Sequence, residues 1–508
     1  MSFLANILKH SSQSVVSGLV SAVGSFAASV IIARLLGVEG TATVAMALWL
    51  VFLSITLADV GITGTLARFA AECPPENDHA AARQLTAYAF RFLVLAILAG
   101  LVLTASILWL YWGDIQAKYA ADRTQGLIFC GLVLVCFVIH MLFAFAYQFL
   151  RGTRAFNDIA LYSLLGTCLQ IGGAVAGSLW FGSNGALAAY ILFSLPMIFS
   201  LRKVRLAGPV EHPPAPRRMR SYAISFYLSV LFSPLLWVRA DILIVDQVIG
   251  AKAVGLMAAA GTIAALLMQV CQMICSALLP NIVHAARDDR QSFASASRIA
   301  VRMSLLLLLP ACLIAAAAAP EAIGAVFGPA FAAGGTMAAV LCLAGLGSAL
   351  TLVVSSVLSA EDGNAVLARN GAIGAVVTLV SGTLLALSFG LVGAALGRLV
   401  SQGLMGVLNL RSATRRVDHL VSVGWIFRIL LAGTVGALVT EALGWWLGGS
   451  LPVVFLSLAC GGLAYLVAAF LLLPLSSGEQ EQLAALIGGL PGPAQNVAAW
   501  LLSRRRTA

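Results

Sequence analysis

Two arginines, Arg239 and Arg398, fall inside long apolar runs of this 508-residue chain. A guanidinium at mid-helix in a membrane costs about 2.5–3.5 kcal/mol on insertion scales, so each requires a water-filled cavity or an anionic partner. Counted at about 1.5 Å per residue from the outer ends of the helices expected below, Arg239 lies ~15 Å deep and Arg398 ~11 Å deep. At that shared depth one cleft could hold both, with Asp241 and Gln402 close by in sequence. Asp241 is two positions from Arg239 and points to another face of the helix, while Asp246 shares its face two turns away. The partner of Arg239 is therefore on another helix or on a substrate, with an ion pair to Asp241 or Asp246 as the competing reading. Pro234, one turn earlier, lacks a backbone donor and marks either a static kink or a bend that works during a conformational change.

Other polar groups in apolar surroundings admit two readings each. Asp59 and Arg68 flank Gly61 and Gly64, where a helix end could approach another closely; Asp59 is either a structural lock or a substrate or proton group. Arg34 and Glu39 are expected to form an interfacial pair, and Glu441 to snorkel beside Trp445 and Trp446. His140 reads as a hydrogen-bonded core histidine before a titrating one. Gln148, Gln170, Gln269, Gln272, Gln402 and Asn409 could line a polar cavity suited to sugar hydroxyls, or hold helices together. Cys271 and Cys275 are one helical turn apart but have no His or acidic neighbour, so no metal site is expected.

Enzymatic centres are missing from the sequence. It contains no GxxxxGK[ST], HExxH or GxSxG, and the longest expected outer loops, 113–124 and 320–335, are too short for an external catalytic domain. No cofactor is expected and the protein reads as a non-enzyme. What remains is movement of a substrate across a bilayer.

The elements that carry these residues follow from composition. With 61% hydrophobic and 10% charged residues, the chain cannot hide its apolar surface as a soluble fold. The expected class is an all-α polytopic membrane protein of fourteen helices: 14–36, 42–64, 88–113, 125–149, 159–181, 183–201, 222–249, 253–279, 299–319, 336–360, 366–389, 391–411, 426–447 and 453–474. Alternate loops are basic. If the amino terminus is cytoplasmic, 24 of the 30 Lys and Arg residues lie in inward segments, so the positive-inside rule puts both termini in the cytoplasm. The net charge of +10 then reflects topology and affinity for anionic lipid heads, and nucleic acid is not an expected partner.

Two halves of the chain resemble each other. Residues 150–190 and 358–398 align without a gap at a shift of 208, so that Phe181, Gly182, Gly185 and Ala186 recur as Phe389, Gly390, Gly393 and Ala394. A second match sets Gly37 and Met46 beside Gly250 and Met257. Six helices separate equivalent positions, so both halves cross in the same sense, related by an axis along the membrane normal. The expected organisation is an N-terminal six-helix bundle (1–201), a basic Pro-rich cytoplasmic linker (202–221), a C-terminal six-helix bundle (222–411), helices thirteen and fourteen (412–475) and an amphipathic, basic cytoplasmic tail (476–508).

Against this frame, IIARLLGVEGTATVAMA (31–47), LADVGITGTLARFAAE (57–72), RADILIVDQVIGAKAVGLMAAAGTI (239–263), Pro280, FGPAF (327–331) and FGLVGAALGRLVSQ (389–402) resemble the polysaccharide flippases. These are the Wzx-like branch of the multidrug/oligosaccharidyl-lipid/polysaccharide exporter superfamily, and the resemblance covers almost the whole chain. It implies two six-helix bundles facing each other in a V, plus two extra helices that could groove a prenyl tail. It also implies a bacterial inner-membrane protein that turns an undecaprenyl-diphosphate-linked oligosaccharide from the inner to the outer leaflet for surface polysaccharide biosynthesis. Further expected partners are membrane lipids, a polysaccharide polymerase and a chain-length regulator. Such cavities are typically cationic; Arg239, Arg398, Asp241, Asp59 and Gln402 are the residues of this chain expected to line one. The alternatives are a cation-coupled drug exporter of the same superfamily and a non-transporting component of a glycan assembly complex.

Overall fold

Long runs of Leu, Ala, Val and Ile, broken by single glycines, fold into helices because hydrocarbon offers no partner to an unpaired backbone group. The computed structural model describes residues 2–72, 80–120, 122–153, 155–202, 216–230, 240–288, 290–360 and 363–472. They form α1 (Ser2–Asp59), α2 (Ile62–Glu72), α3 (Ala80–Leu110), α4 (Trp112–Lys118), α5 (Arg123–Gly152), α6 (Phe156–Ile198), α7 (Pro216–Val230) and α8 (Ala240–Val248). There follow α9 (Ala251–Asp288), α10 (Arg290–Phe327), α11 (Gly335–Ala360), α12 (Asn364–Thr414), α13 (Val423–Leu447) and α14 (Leu451–Leu472). Among the described residues, ten helices are long and apolar enough to cross a membrane. Residues 203–215 of the expected linker (202–221), the expected tail (476–508), Pro234 and Arg239 lie outside the described residues.

Three of the long helices are hairpins of two spans. α1 breaks at Gly37 (φ 67°), α6 at Gly182 and α12 at Gly390. At Gly182 φ is 60° and ψ −140°, a conformation that a side chain makes costly, and the chain reverses there in a single residue. The two arms of α6 then pack so closely that a methyl on Gly177 would lie 2.2 Å from the carbonyl oxygen of Gly185. With α7 and α8 either side of residues 231–239, these hairpins account for the fourteen expected spans.

The repeat is visible in the backbone. The amide of Ala155 donates to Leu150 (2.9 Å) before α6, and that of Gly363 to Leu358 (2.8 Å) before α12, at the same shift of 208.

Elsewhere the structure departs from the expectation. The anticipated loop from 320 is instead two further turns of α10, which carries Pro310 and Pro320 internally and ends in a 3-10 turn, Pro329–Gly334. Gly335 leaves room there: a methyl on it would lie 3.0 Å from the Pro320 Cα. The other outer loop holds the short helix α4.

One core joins the halves on the side of the sparsely charged loops: Met46, Trp49 and Leu50 of α1, Met257 of α9, Phe327 and Phe331 belong to a single buried cluster. Towards the basic loops the described residues form two further clusters, one around Leu66, Phe145 and Phe149 that also takes in Met219 of α7, the other around Phe293, Val357 and Trp425. α13 and α14 pack on each other and on α10.

Candidate functional site

Between the bundles lies a cavity of about 530 Å³, walled by both arms of α1, by α9, and by Tyr190, Ile242 and Phe327. Ser21, Ser25 and Ser29 recur every four residues and so share one face of the first arm of α1. Facing them are Thr262 and Gln269 of α9, while Trp49, Phe52, Phe26 and Tyr190 supply aromatic surface. The Ser25 hydroxyl donates to Oε1 of Gln170 at 3.2 Å, and those of Thr41 and Thr262 to the carbonyls of Gly37 and Ala258 in their own helices. None of the described lining residues is charged. The chemistry on offer is hydrogen bonding and stacking with a neutral, hydroxyl-rich or aromatic group.

Among the expected cavity residues, Arg239 lies outside the described residues, and Arg398, Asp241, Asp59 and Gln402 do not line this cavity. Arg398 of α12 donates from Nη1 to Oδ2 of Asp241 on α8 at 3.1 Å; the side chains are 19% and 5% exposed. Asp241 Oδ1 has no hydrogen-bond partner among the described residues. The pair stands behind the cavity wall, since Ile242, the residue after Asp241, is the one that faces in. Gln402 is 1% exposed, at the α11–α12 contact where Gly347 admits its backbone.

Asp59 caps a helix. The chain breaks at Val60 (φ 43°) and Gly61 (φ 78°), and the Asp59 carboxylate accepts the Thr63 amide (3.2 Å) and hydroxyl (3.0 Å) as α2 begins. The close approach expected at Gly61 and Gly64 is to α7: a methyl on Gly61 would lie 2.3 Å from the Ala223 carbonyl oxygen, and one on Gly64 would meet Phe226. Arg68 lies over the ring of Tyr222, 4.3 Å from its centroid. α7 thus leans on the N-terminal bundle at the basic face.

The opposite face is tied shut between bundles. Arg34, expected to pair with Glu39, instead donates from Nε to the Val326 carbonyl (2.7 Å) and from Nη2 to that of Ala325 (2.6 Å). These are last-turn carbonyls of α10, without helical partners and at the negative end of the helix dipole, so a cation satisfies them twice over. Beside this, Asp246 of α8, 2% exposed, accepts from Lys118 Nζ (3.1 Å) and from the Tyr119 hydroxyl (2.6 Å). Burial, and then the bond to Asp246, push the Tyr119 hydroxyl above its ordinary value. A Phe26–Phe327 edge-to-face contact with centroids 6.0 Å apart completes the closure.

The serine stripe was the residue set that sequence inspection missed, although its four-residue spacing within an apolar helix was its signal. Gln269, counted among the candidate cavity amides, does line the cavity, and Gln170 touches it through Ser25.

A central cavity between two repeated bundles is an arrangement that known membrane transporters share. The structure is similar to the lipid II flippase MurJ in an inward closed conformation, with a TM-score of 0.67 and 15% identity over 90% of this chain and 97% of that one. It is similar to an inward-facing multidrug resistance MATE family transporter of the MOP superfamily (TM-score 0.60, 12% identity, 79% and 95% covered). A MOP superfamily transporter from Pyrococcus furiosus, described as having a binding pocket of reverse polarity that suggests a different function, gives 0.57 at 15% identity, with 82% and 96% covered. No curated protein matches the sequence. The model of a polysaccharide biosynthesis protein family matches residues 7–286, more than half of the chain, and the chain belongs to that family. Its motifs had pointed to the same family, and the fold is that of the superfamily they implied.

Proposed function

We propose that the protein is a flippase that carries an undecaprenyl-diphosphate-linked oligosaccharide from the inner to the outer leaflet of a bacterial cytoplasmic membrane, by alternating access and without enzymatic chemistry. The observation that carries this is the neutral, hydroxyl- and aromatic-lined cavity between the bundles of a polysaccharide biosynthesis family member. Sugars present hydroxyls and apolar ring faces, which match the serine stripe and Gln269 on one side and Trp49 and Tyr190 on the other. The prenyl chain stays in lipid.

The diphosphate needs compensation that the cavity does not give. In this reading Arg398 supplies it, together with Arg239, two positions before Asp241 in the sequence. Asp241 neutralises Arg398 at rest, and an arriving diphosphate takes its place; Asp59 and Gln402 position the helices around them. Both termini are cytoplasmic, the basic loops face inward, and the ties of Arg34 and Asp246 close the outer side. Surface polysaccharide assembly (exopolysaccharide, capsule or O-antigen) would consume the product, with a polymerase and a chain-length regulator as its partners.

Proteoliposomes loaded with a fluorescent undecaprenyl-diphosphate oligosaccharide test this reading. The expected result is protein-dependent loss of the inner-leaflet pool to a membrane-impermeant quencher, saturable in substrate. Movement no faster than in protein-free vesicles rejects it. Aromatic lining by Phe26, Phe52 and Phe327 also suits a drug-like amphiphile, the second reading; loss of drug resistance on gene deletion with surface glycan unchanged would favour it.

A further inference from the structure

A second pocket, of about 310 Å³, lies far from the central cavity, at the basic face where α13 begins. It is lined by Arg302 of α10, by His419, Leu420, Val421 and Ser422 of the preceding loop, and by Gly424, Trp425 and Arg428 of α13. None of its described lining residues is acidic. Ser422 caps α13, its hydroxyl oxygen accepting the Trp425 amide at 3.3 Å. The amides of Val423 and Gly424 belong to the first turn, where helical partners are lacking and the dipole favours an anion. A methyl on Gly424 would meet nothing within 4 Å, so this end of the helix stands open.

Two side chains make the pocket more than a helix end. The Arg302 guanidinium stacks over the Trp425 ring, 4.9 Å from its centroid, which fixes a cation at the pocket wall. Trp425 is itself only 6% exposed, and its indole N–H has no acceptor among the described residues. A buried donor left unmade is costly, so an acceptor belongs beside it. Arg428, one turn further along α13, adds a second, exposed guanidinium.

We propose that this pocket binds a phosphate-bearing anion at the basic face, independently of the transported substrate. The ligand class is a phosphate ester or free phosphate, held by Arg302, Arg428, the indole N–H and the first turn of α13. The setting favours the headgroup of an anionic phospholipid, because basic pockets between spans at this face meet the anionic leaflet. An occupied site would brace α13 against α10, the contact through which the two extra helices join the rest of the fold.

The experiment uses the full chain purified in a neutral maltoside detergent. Dihexanoyl-phosphatidylglycerol, dihexanoyl-phosphatidylcholine and inorganic phosphate are titrated separately, with binding read by native mass spectrometry and by the thermal unfolding midpoint. Saturable binding of phosphatidylglycerol, at least tenfold tighter than phosphatidylcholine and at least tenfold weaker in Arg428→Gln, is the expected result. Trp425→Phe, which keeps an aromatic face but removes the indole N–H together with the five-membered ring that carries it, is expected to weaken it too. Saturable binding of inorganic phosphate alone, with the same loss in Arg428→Gln, supports the site and assigns a soluble source. Arg428→Gln replaces an exposed side chain and decides the matter even where Trp425→Phe fails to fold. Unchanged binding in Arg428→Gln, or no saturable binding of any of the three by the wild type, overturns the proposal.

Discussion

Gly182 and Gly390 stand 208 residues apart and share one backbone conformation, φ 60° and ψ −140° against φ 59° and ψ −135°. Each turns one long helix into a hairpin of two spans. A methyl on Gly393 would lie 1.8 Å from the Leu385 carbonyl oxygen, the counterpart of the Gly177–Gly185 contact in the first half. Equal geometry at equal register is what one duplicated unit leaves behind.

Replacing either glycine by alanine should therefore cost similar stability, of order 1–3 kcal/mol, the range for a side chain held in a glycine-only conformation. Thermal unfolding of the purified protein in detergent checks it, and the two losses should add, because the sites share no partner. A much smaller loss at one site than at the other would separate the two turns.

The Arg398–Asp241 pair should behave as a buried charge pair. Arg398→Ala or Asp241→Asn alone leaves one charge uncompensated and should destabilise by about 3–5 kcal/mol, whereas the double replacement by leucine should be milder than either. Unfolding midpoints read the stability side. Transport in the leucine double variant should still be lost, since nothing then neutralises the diphosphate.

Removing the outer ties should open the sparsely charged face. Lys118→Ala, Asp246→Asn and Arg34→Ala each delete bonds between bundles, and a membrane-impermeant maleimide should label Thr41→Cys several-fold faster in each background. Unchanged labelling would mean that the Gly255–Val38 packing closes this face unaided.

The tyrosine in that tie gives a pH signature. Its ionisation is raised above 10.0 in the folded protein, so its stabilising effect is complete below that value and fades as pH climbs through the raised one. Tyr119→Phe should remove the part of the stability loss that begins above about pH 10, and ultraviolet titration of tyrosinate should show one fewer late-ionising residue.

Much of the fold was legible because the membrane imposes long apolar runs and glycine marks the reversals. Breaks at 182 and 390 could be placed from the Phe-Gly repeat alone. Partners were harder to read. Asp241 meets Arg398 across 157 positions, and sequence neighbours report only the faces of one helix. Arg34 bonds to carbonyls of Ala325 and Val326, which carry no side-chain signature. Pro320 read as a helix end because proline lacks a donor, yet α10 continues past it to Phe327. Ser21, Ser25 and Ser29 were hidden because small residues also mediate helix packing, and their spacing serves both roles.

The central claim is that the neutral cavity holds the sugar moiety during transit. Filling it tests this most directly: Ser25→Phe with Ser29→Phe occupies the serine face while leaving every charged residue in place. Reconstituted beside wild type, with matched insertion and unfolding midpoint, this variant should move labelled lipid-linked oligosaccharide at least tenfold more slowly. Equal rates in the two preparations would contradict the account.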